Sequence, residues 1–173
     1  MKKLTQRLEQ IMASGKPGFM MHTVAGYPNL KSSAAIARTI IESGADILEI
    51  QIPFSDPVAD GPVIALANTV ALEQGVTVAG CLEVIEDLAS STEVPILIMT
   101  YFNIVHHYGV AAFVKKAREI GVQGLIIPDF PFDEEAGDML LKHCQDQDLA
   151  FVQVLASTTR KPRMKGILEH ASG

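Results

Sequence analysis

One acidic residue stands inside an apolar run in the first third of the chain. Glu49 lies within the strand-like run 47–52, which ends at Pro53 and leads directly into a loop that carries Asp56 and Asp60. A carboxylate is costly to bury in a strand unless it is paired or used. Strands that feed acid-bearing loops rich in Pro and Gly are typical of active sites in α/β barrels. This stretch is therefore the first candidate for chemistry.

The alternation of side chains along a strand gives Glu49 a direction. Glu49 and Gln51 share one face, and the opposite face is aliphatic. The aliphatic face is expected to meet helices, which places Glu49 and Gln51 in the interior of a barrel, near its catalytic end. A structural alternative is that Glu49 pairs with a buried cation, although none of the strand-like runs contains Lys or Arg. We predict that Glu49 is a catalytic acid/base.

Further polar residues follow the predicted strands. Asp56 and Asp60 each fit an ordinary turn, but together with Glu49 either acid would make an acid/base pair at the same mouth. Tyr101 and Asn103 follow the third predicted strand, Asp129 ends the fourth, and all three are predicted at the same rim. For Tyr101, a half-buried ring with a satisfied hydroxyl fits as well as a substrate contact. Asp129 fits a cap or a structural hydrogen-bond acceptor.

The elements that position these residues repeat along the chain. Most of the apolar runs are apolar on both faces, as buried parallel strands are. Two segments with helical apolar spacing end at Gly44 and Gly121, each directly before a strand. The predicted strands are Gly18–Ala25, Ala45–Pro53, Pro95–Tyr101, Gly124–Asp129 and Ala150–Ala156. The predicted helices are an amphipathic N-terminal one, Leu30–Ser43, Val78–Ser90, Val110–Ile120, Asp133–Gln147 with an acidic first turn, and the weaker Met164–Ala171.

This βα repeat leaves two architectures, a (β/α)8 barrel and an open doubly wound sheet. No Gly-x-Gly-x-x-Gly or Gly-x-x-x-x-Gly-Lys-Ser/Thr motif is present, which disfavours the nucleotide-binding open sheets. The length favours a single domain over residues 1–173. About five βα units fall short of the eight of a closed barrel, and five strands would leave open edges. We therefore predict an α/β fold that represents the N-terminal two-thirds of a TIM barrel.

Composition excludes several classes of function. A net charge of −6 and a pI near 5.3 argue against nucleic acid as a partner. No run approaches about 18 apolar residues, so no membrane span is expected, and the N-terminus lacks the apolar region of a signal peptide. Cys81 and Cys144 fall in helix-like segments without metal-like spacing, which is typical of reduced thiols in a cytoplasmic protein.

The other residue types that support catalysis give little signal. The five histidines show no metal-ligand spacing, and His106-His107 is predicted in a solvated loop. No metal is expected. No lysine lies at a strand end to form a Schiff base, and Gly-x-Ser-x-Gly is absent. Any carbon–carbon bond chemistry would therefore depend on carboxylates.

Residues 48–62 closely resemble the signature of the tryptophan synthase α subunit family. Residues 25–28, 99–103 and 128–131 agree with the same family, and the match runs in order from about residue 18 to the end. The resemblance implies a (β/α)8 barrel that cleaves indole-3-glycerol phosphate into indole and glyceraldehyde 3-phosphate. It also implies a β subunit as partner, usually in an α2β2 assembly. Pyridoxal phosphate is then expected only in that β subunit, and no cofactor is expected in this chain.

The resemblance also implies roles for individual residues. Glu49 corresponds to the general acid/base that protonates the ring carbon as the carbon–carbon bond breaks. Asp60 corresponds to the residue that holds the indole N–H and stabilises positive charge on the ring. Two positioned carboxylates suffice for this retro-aldol cleavage without a metal or a lysine. The resemblance places Tyr101 and Phe102 beside the indole pocket, and Pro53, Asp56 and Pro57 in the loop that meets the β subunit.

Three positions depart from the family pattern near the expected pocket. Gln51 stands where the family usually has Gly, His22 where it usually has an aromatic residue, and Val24 where Thr is common. Gln51 could crowd the indole pocket or hydrogen-bond Glu49. Gln51 and His22 are therefore included among the candidate substrate-binding residues, and they bear on catalytic efficiency and on substrate identity.

The family's last strands and its phosphate-binding glycine loops have no counterpart in these 173 residues. On that basis the chain alone is expected to be inactive or very weak. Two alternative functions stay open. One is another TIM-barrel enzyme that acts on a small phosphorylated substrate. The other is a non-catalytic or regulatory α-like subunit that only binds its partner.

Overall fold

The computed structural model describes residues 2–130 and 135–172. Five parallel strands in this part of the chain form one sheet, and helices connect them. The strands are β1 (Met20–Val24), β2 (Ile47–Gln51), β3 (Ile96–Met99), β4 (Gly124–Ile126) and β5 (Ala150–Val152). The helices are α1 (Lys2–Ser14), α2 (Leu30–Glu42), α3 (Pro62–Glu73), α4 (Val78–Ser90), α5 (Phe102–Tyr108), α6 (Val110–Glu119), α7 (Glu135–Asp146) and α8 (Lys161–His170).

The strand order distinguishes the two predicted architectures. The strands lie side by side in the order of the sequence, β1-β2-β3-β4-β5, and every pair is parallel. A doubly wound sheet reverses direction at a switch point, whereas a (β/α)8 barrel adds strands one after another. The sheet is therefore of the TIM-barrel type, as the sequence predicts, and it contains five of the barrel's strands.

Most predicted elements are confirmed with shorter ends, and the structure adds two helices that the sequence does not predict. The first is α3, which follows the acidic loop, and the second is the short helix α5. The prediction that His106-His107 lies in a loop was wrong, because both residues are exposed in the last turn of α5. Of the predicted acidic helix start, Asp133 and Glu134 lie outside the described residues, and so does Pro131 of the motif at 128–131.

The sheet has an apolar layer on each face. Leu48, Ile50 and Ile52 point outward into a large cluster that the helices cover, which we name the outer cluster. Ile47, Leu97, Met99 and Tyr101 point the other way into a smaller inner cluster, to which Leu4 of α1 also belongs. The predicted division of β2 into two faces is confirmed, because Glu49 has the same strand parity as Ile47.

The turn after β1 requires glycine at Gly26. Gly26 has a φ of +88°, and a Cβ atom there would lie 2.5 Å from Cγ2 of Val76. An L side chain would meet both backbone strain and a direct clash. Its N–H donates to Oγ of Ser33 in α2 at 2.9 Å, which fixes the turn against the helix that follows. This turn is next to the end of β1 that carries His22.

Two further findings concern the helices. Cys81 in α4 and Cys144 in α7 are buried free thiols, and burial raises the pKa of each to about 12. Among the described helices, none is by itself long and apolar enough to cross a membrane, whereas α3 and α4, bent at 107°, pass that test only as a pair.

Candidate active site

The site is built where strands β1 and β2 end. The register of these strands sets His22 opposite Glu49, so both side chains leave the same face of the sheet. Nε2 of His22 lies 3.8 Å from Oε1 of Glu49, and the two side chains are 30% and 14% exposed. The partner of Glu49 is thus an imidazole, which is charged only when protonated, and not the Lys or Arg of the structural alternative.

Three surrounding effects act on the acidity of Glu49. Burial raises the pKa of its carboxyl group above the ordinary value and is the largest effect, because a charged carboxylate is poorly solvated there. His22 lowers the pKa and the nearby Asp60 raises it, and the net shift is upward. Glu49 therefore holds its proton to higher pH than an exposed glutamate, which suits a residue that must deliver a proton.

Gln51 joins the two sides of the site. Its side chain is fully buried, and its Oε1 lies 2.9 Å from Nε2 of His22. Its Nε2 donates to Oδ2 of Asp60 at 2.7 Å and to Oδ1 of Asn68 at 3.4 Å. Gln51 was expected either to crowd the pocket or to hydrogen-bond Glu49. The acid that it hydrogen-bonds in the structure is Asp60 instead.

Asn68 of α3 belongs to the site and was missed by the sequence analysis. It is fully buried, its Nδ2 donates to Oδ2 of Asp60 at 3.3 Å, and its Oδ1 accepts the backbone N–H of Phe54 at 2.9 Å. Asn68 thus connects helix α3 to both ends of the loop after β2. The sequence signal for Asn68 is a single amide within an apolar segment, but that segment, α3, is not itself predicted as a helix.

Tyr101 supports the loop after β2 through contacts with two of its residues, Phe54 and Ala59. It is fully buried, its hydroxyl accepts the backbone N–H of Ala59 at 3.1 Å, and its ring stacks on Phe54 with centroids 5.1 Å apart. Burial is the main reason that its pKa is raised to about 12, with Asp60 adding to the shift. The hydroxyl is satisfied, as the structural interpretation expected, but the ring is fully and not half buried.

Phe102 does not join this group of side chains. Its ring packs against the outer cluster, and its N–H donates to Oδ1 of Asp129 at 2.8 Å. Asp129 therefore accepts a backbone N–H in the first turn of α5, which confirms its predicted part as a structural acceptor. That Phe102 touches the substrate stays a prediction, and its packing against the outer cluster does not support it.

The residues predicted to meet a partner differ in how accessible they are. Pro53 is buried, Pro57 is half-buried and Asp56 is exposed. Val58 in the same loop is 81% exposed, and Val63 and Leu66 on α3 are 76% and 58% exposed. An apolar surface thus adjoins the acidic loop, whereas Pro53 shapes the loop from inside.

The site as a whole brings two carboxylates into one set of contacts. Glu49 and Asp60 are linked through His22 and Gln51, and Asn68 completes the support of Asp60. A carboxylate offers about four acceptor positions, so two amide donors leave room on Asp60 for a substrate N–H. The arrangement can deliver a proton from one acid while the other holds a polar group of the substrate.

Comparisons with known proteins identify the family of the chain. The sequence profile of the family described as tryptophan synthase alpha chain matches residues 8–173. The tryptophan synthase alpha chain of Syntrophotalea carbinolica is 44% identical over 154 residues, which are 89% of this chain and 60% of the relative. That of Desulfotalea psychrophila is 37% identical over 170 residues, or 96% of this chain and 66% of the relative.

Solved structures of the same family also superpose on the chain. The tryptophan synthase alpha chain of Legionella pneumophila superposes with a TM-score of 0.91 at 31% identity, over 99% of this chain and 64% of that one. Tryptophan synthase of Mycobacterium tuberculosis gives a TM-score of 0.90 at 31% identity, over 96% of this chain and 66% of that one. The chain thus spans 60 to 66% of the length of these relatives. By its sequence, its parallel sheet and its strand order, the chain belongs to the tryptophan synthase alpha chain family.

Proposed function

We propose that this chain supplies the acid/base part of a lyase that cleaves indole-3-glycerol phosphate to indole and glyceraldehyde 3-phosphate in tryptophan biosynthesis. One observation carries the proposal. Glu49 is a largely buried acid within strand β2 of the barrel, with a raised pKa and Asp60 beside it. Family membership adds the substrate class, because the relatives are named tryptophan synthase alpha chain.

In this proposal the two acids have different parts. Glu49 delivers its proton to the ring carbon, and its raised pKa keeps that proton available. As the carbon–carbon bond breaks, the Glu49 carboxylate takes up the proton of the substrate hydroxyl that becomes the aldehyde, so Glu49 returns to its protonated state. Asp60 holds the ring N–H and stabilises positive charge that develops on the ring. Gln51 and Asn68 hold the Asp60 carboxylate in place, so that it need not reorient during the reaction.

The test measures indole release from indole-3-glycerol phosphate. It uses the chain itself and a chimera in which the chain replaces the matching part of its 44% identical relative. We expect the chimera to turn over, and we expect Glu49→Gln to lower kcat by at least about 10²-fold, the usual range for a lost general acid. Glu83→Gln in α4 makes the same chemical change at an exposed position and should leave kcat unchanged.

Two results would contradict the proposal. A chimera that folds and contains an intact Glu49 but releases no indole would exclude the lyase function for this site. Retention of most activity in Glu49→Gln, with native circular dichroism, would exclude Glu49 as the acid. Binding to a β subunit without turnover would instead identify a regulatory α-like subunit.

We propose further that the loop after β2 docks a tryptophan synthase β subunit in an α2β2 assembly, and that pyridoxal phosphate belongs to that subunit alone. Asp56, Pro57 and the exposed apolar residues Val58, Val63 and Leu66 support this surface. Val63 and Leu66 are three positions apart on α3 and therefore share one helix face. Apolar side chains that protrude beside a polar site are typical of a protein interface.

Binding measurements test the partner directly. We expect Leu66→Asp to weaken binding of a β subunit by about tenfold or more, because a desolvated charge is unfavourable at an apolar interface. Leu168→Asp on α8, where the side chain is 55% exposed, is the matched control and should bind as wild type does. Equal affinity of both variants, measured by calorimetry, would exclude this face.

A further inference from the structure

The amide groups around Asp60 can be oriented by chemistry alone. The atom of Asn68 that faces the backbone N–H of Phe54 must be its oxygen, because a donor needs an acceptor. The atom of Gln51 that lies 2.7 Å from the Asp60 carboxylate must be its NH2 group, because an ionised carboxylate only accepts. The same NH2 group faces the Asn68 oxygen at 3.4 Å, so the two assignments agree.

This orientation determines the state of His22. With its NH2 group held by Asp60, Gln51 presents its carbonyl oxygen to Nε2 of His22 at 2.9 Å. Two acceptors cannot form that contact, so Nε2 must carry a hydrogen. The neutral ring is then the Nε2–H tautomer, with Nδ1 as the unprotonated nitrogen. Because Gln51 is fully buried, water cannot replace it in this contact.

The same N–H lies close to the acid that is proposed to react. Oε1 of Glu49 is 3.8 Å from Nε2 of His22, on the same face of adjacent strands. The hydrogen on Nε2 forms its hydrogen bond with Gln51, and the positive end of the N–H dipole lies 3.8 Å from the Glu49 carboxyl group. A ring that were free to exchange tautomers would present a lone pair there for part of the time. That lone pair would accept the proton of Glu49, which is needed at the substrate, and would repel Glu49 once the proton has been delivered.

We propose that His22 is a positioning residue, held by Gln51 in the Nε2–H tautomer, and that this N–H orients the carboxyl group of Glu49 toward the substrate. Asp60 fixes the orientation of the Gln51 amide, and that amide fixes the tautomer of His22. The N–H of His22 in turn orients the Glu49 carboxyl group, so one series of side-chain contacts joins the two acids. The tautomer follows from the structure alone, whereas its catalytic consequence rests on the proposed lyase function.

Nuclear magnetic resonance tests the tautomer without any turnover. In the uniformly 15N-labelled chain, we expect the neutral ring of His22 to show one protonated nitrogen, Nε2, and one unprotonated nitrogen, Nδ1. The exposed ring of His106 serves as an internal reference for free exchange between tautomers. An Nδ1–H tautomer at His22, or the averaged pattern of His106, would overturn the inference, and this measurement needs no variant.

A matched pair of variants tests the part of Gln51. Gln51→Met removes the carbonyl oxygen that accepts the Nε2 hydrogen of His22, and we expect the His22 ring to lose its single-tautomer pattern. Gln123→Met makes the same change at another buried glutamine, whose side chain contacts Gly121. Gln123 directly precedes β4, at the amino ends of the strands, so this variant should leave the resonance pattern of His22 unchanged. An unchanged His22 pattern in a folded Gln51→Met would contradict the proposal.

Kinetics in the chimera test the catalytic consequence. We expect His22→Leu to lower kcat by about tenfold or more with little change in KM, because the acid is misplaced while binding groups remain. His22→Gln offers an amide N–H at a similar reach and should restore most of kcat. Failure of that rescue with normal folding would contradict the positioning role. A wild-type chimera without turnover would contradict the proposed function, and the resonance pattern would still decide the tautomer.

Discussion

At the scale of single residues, Glu49 combines a catalytic property with a cost to stability. Its carboxyl group is 14% exposed, and burial holds its pKa above the ordinary value. The unfolded chain has no such shift, so the folded state binds the proton more tightly than the unfolded state does. Stability is then highest while Glu49 is protonated and falls as the pH rises through the raised pKa.

The stability of Glu49→Gln should therefore depend on pH in a defined way. Above the raised pKa of Glu49 we expect the variant to unfold at a higher urea concentration than wild type, because no charge must be buried. Below the ordinary pKa of glutamate the two proteins should be equally stable. Urea titrations at several pH values measure this difference. A wild type that is the more stable protein above the raised pKa would show that ionised Glu49 is well compensated.

Only part of this site could be predicted from the residue sequence. The face of β2 that carries Glu49 follows from strand alternation, and a hydrogen-bonded Tyr101 hydroxyl is one of the two outcomes that the sequence predicts. The contact of Gln51 with His22 could not be predicted, because the register between β1 and β2 is not readable from either strand alone. Whether Asp60 acts as a turn residue or as an acid also depends on neighbours from another element.

At the scale of elements, the missed helix α3 explains most of what the sequence did not predict. Its residues are apolar nearly all round, and Val63 and Leu66 are exposed while Ala67 and Ala71 are buried. A helix without a clear apolar stripe gives no periodic signal. The five strands and the other long helices were predictable because their burial patterns are regular.

Asn68 should be the most sensitive connection between α3 and the loop after β2. We expect Asn68→Ala to destabilise the fold by about 1–3 kcal/mol, because the partly buried N–H of Phe54 loses its acceptor and the Asp60 carboxylate loses a donor. Asn103→Ala is the control, since Asn103 is exposed on α5. Denaturant titrations give the two free energies of unfolding. If both variants lose equal stability, the loop is not held by Asn68.

At the scale of the whole molecule, two thiols report on the integrity of the outer layer. Cys81 lies in α4 and Cys144 in α7, and both belong to the outer cluster. Burial raises the pKa of each thiol to about 12, so few thiolates exist at neutral pH and none is accessible to a reagent. Their reactivity therefore depends on opening of the layer.

We expect both cysteines to resist a thiol reagent in the native chain and to become reactive together as denaturant is added. Simultaneous exposure would mean that the helices over the sheet unfold as one cooperative unit. Mass spectrometry of labelled peptides measures each site separately. Labelling of Cys144 well before Cys81 would show instead that the β4–β5 side opens on its own.

The short reach of the polar contacts around Asp60 has a consequence for synthesis. The hydrogen bonds that link His22, Gln51, Asp60, Asn68 and the Phe54 backbone fall within residues 22–68, and the longest joins residues 29 positions apart. Contacts between near neighbours in sequence form quickly, and a nascent chain emerges from its N-terminal end. These hydrogen bonds can thus begin to form on the ribosome once β1, β2 and α3 have been translated, whereas the loop gains its contacts with Tyr101, and Glu49 its neighbouring strand, only when β3 follows.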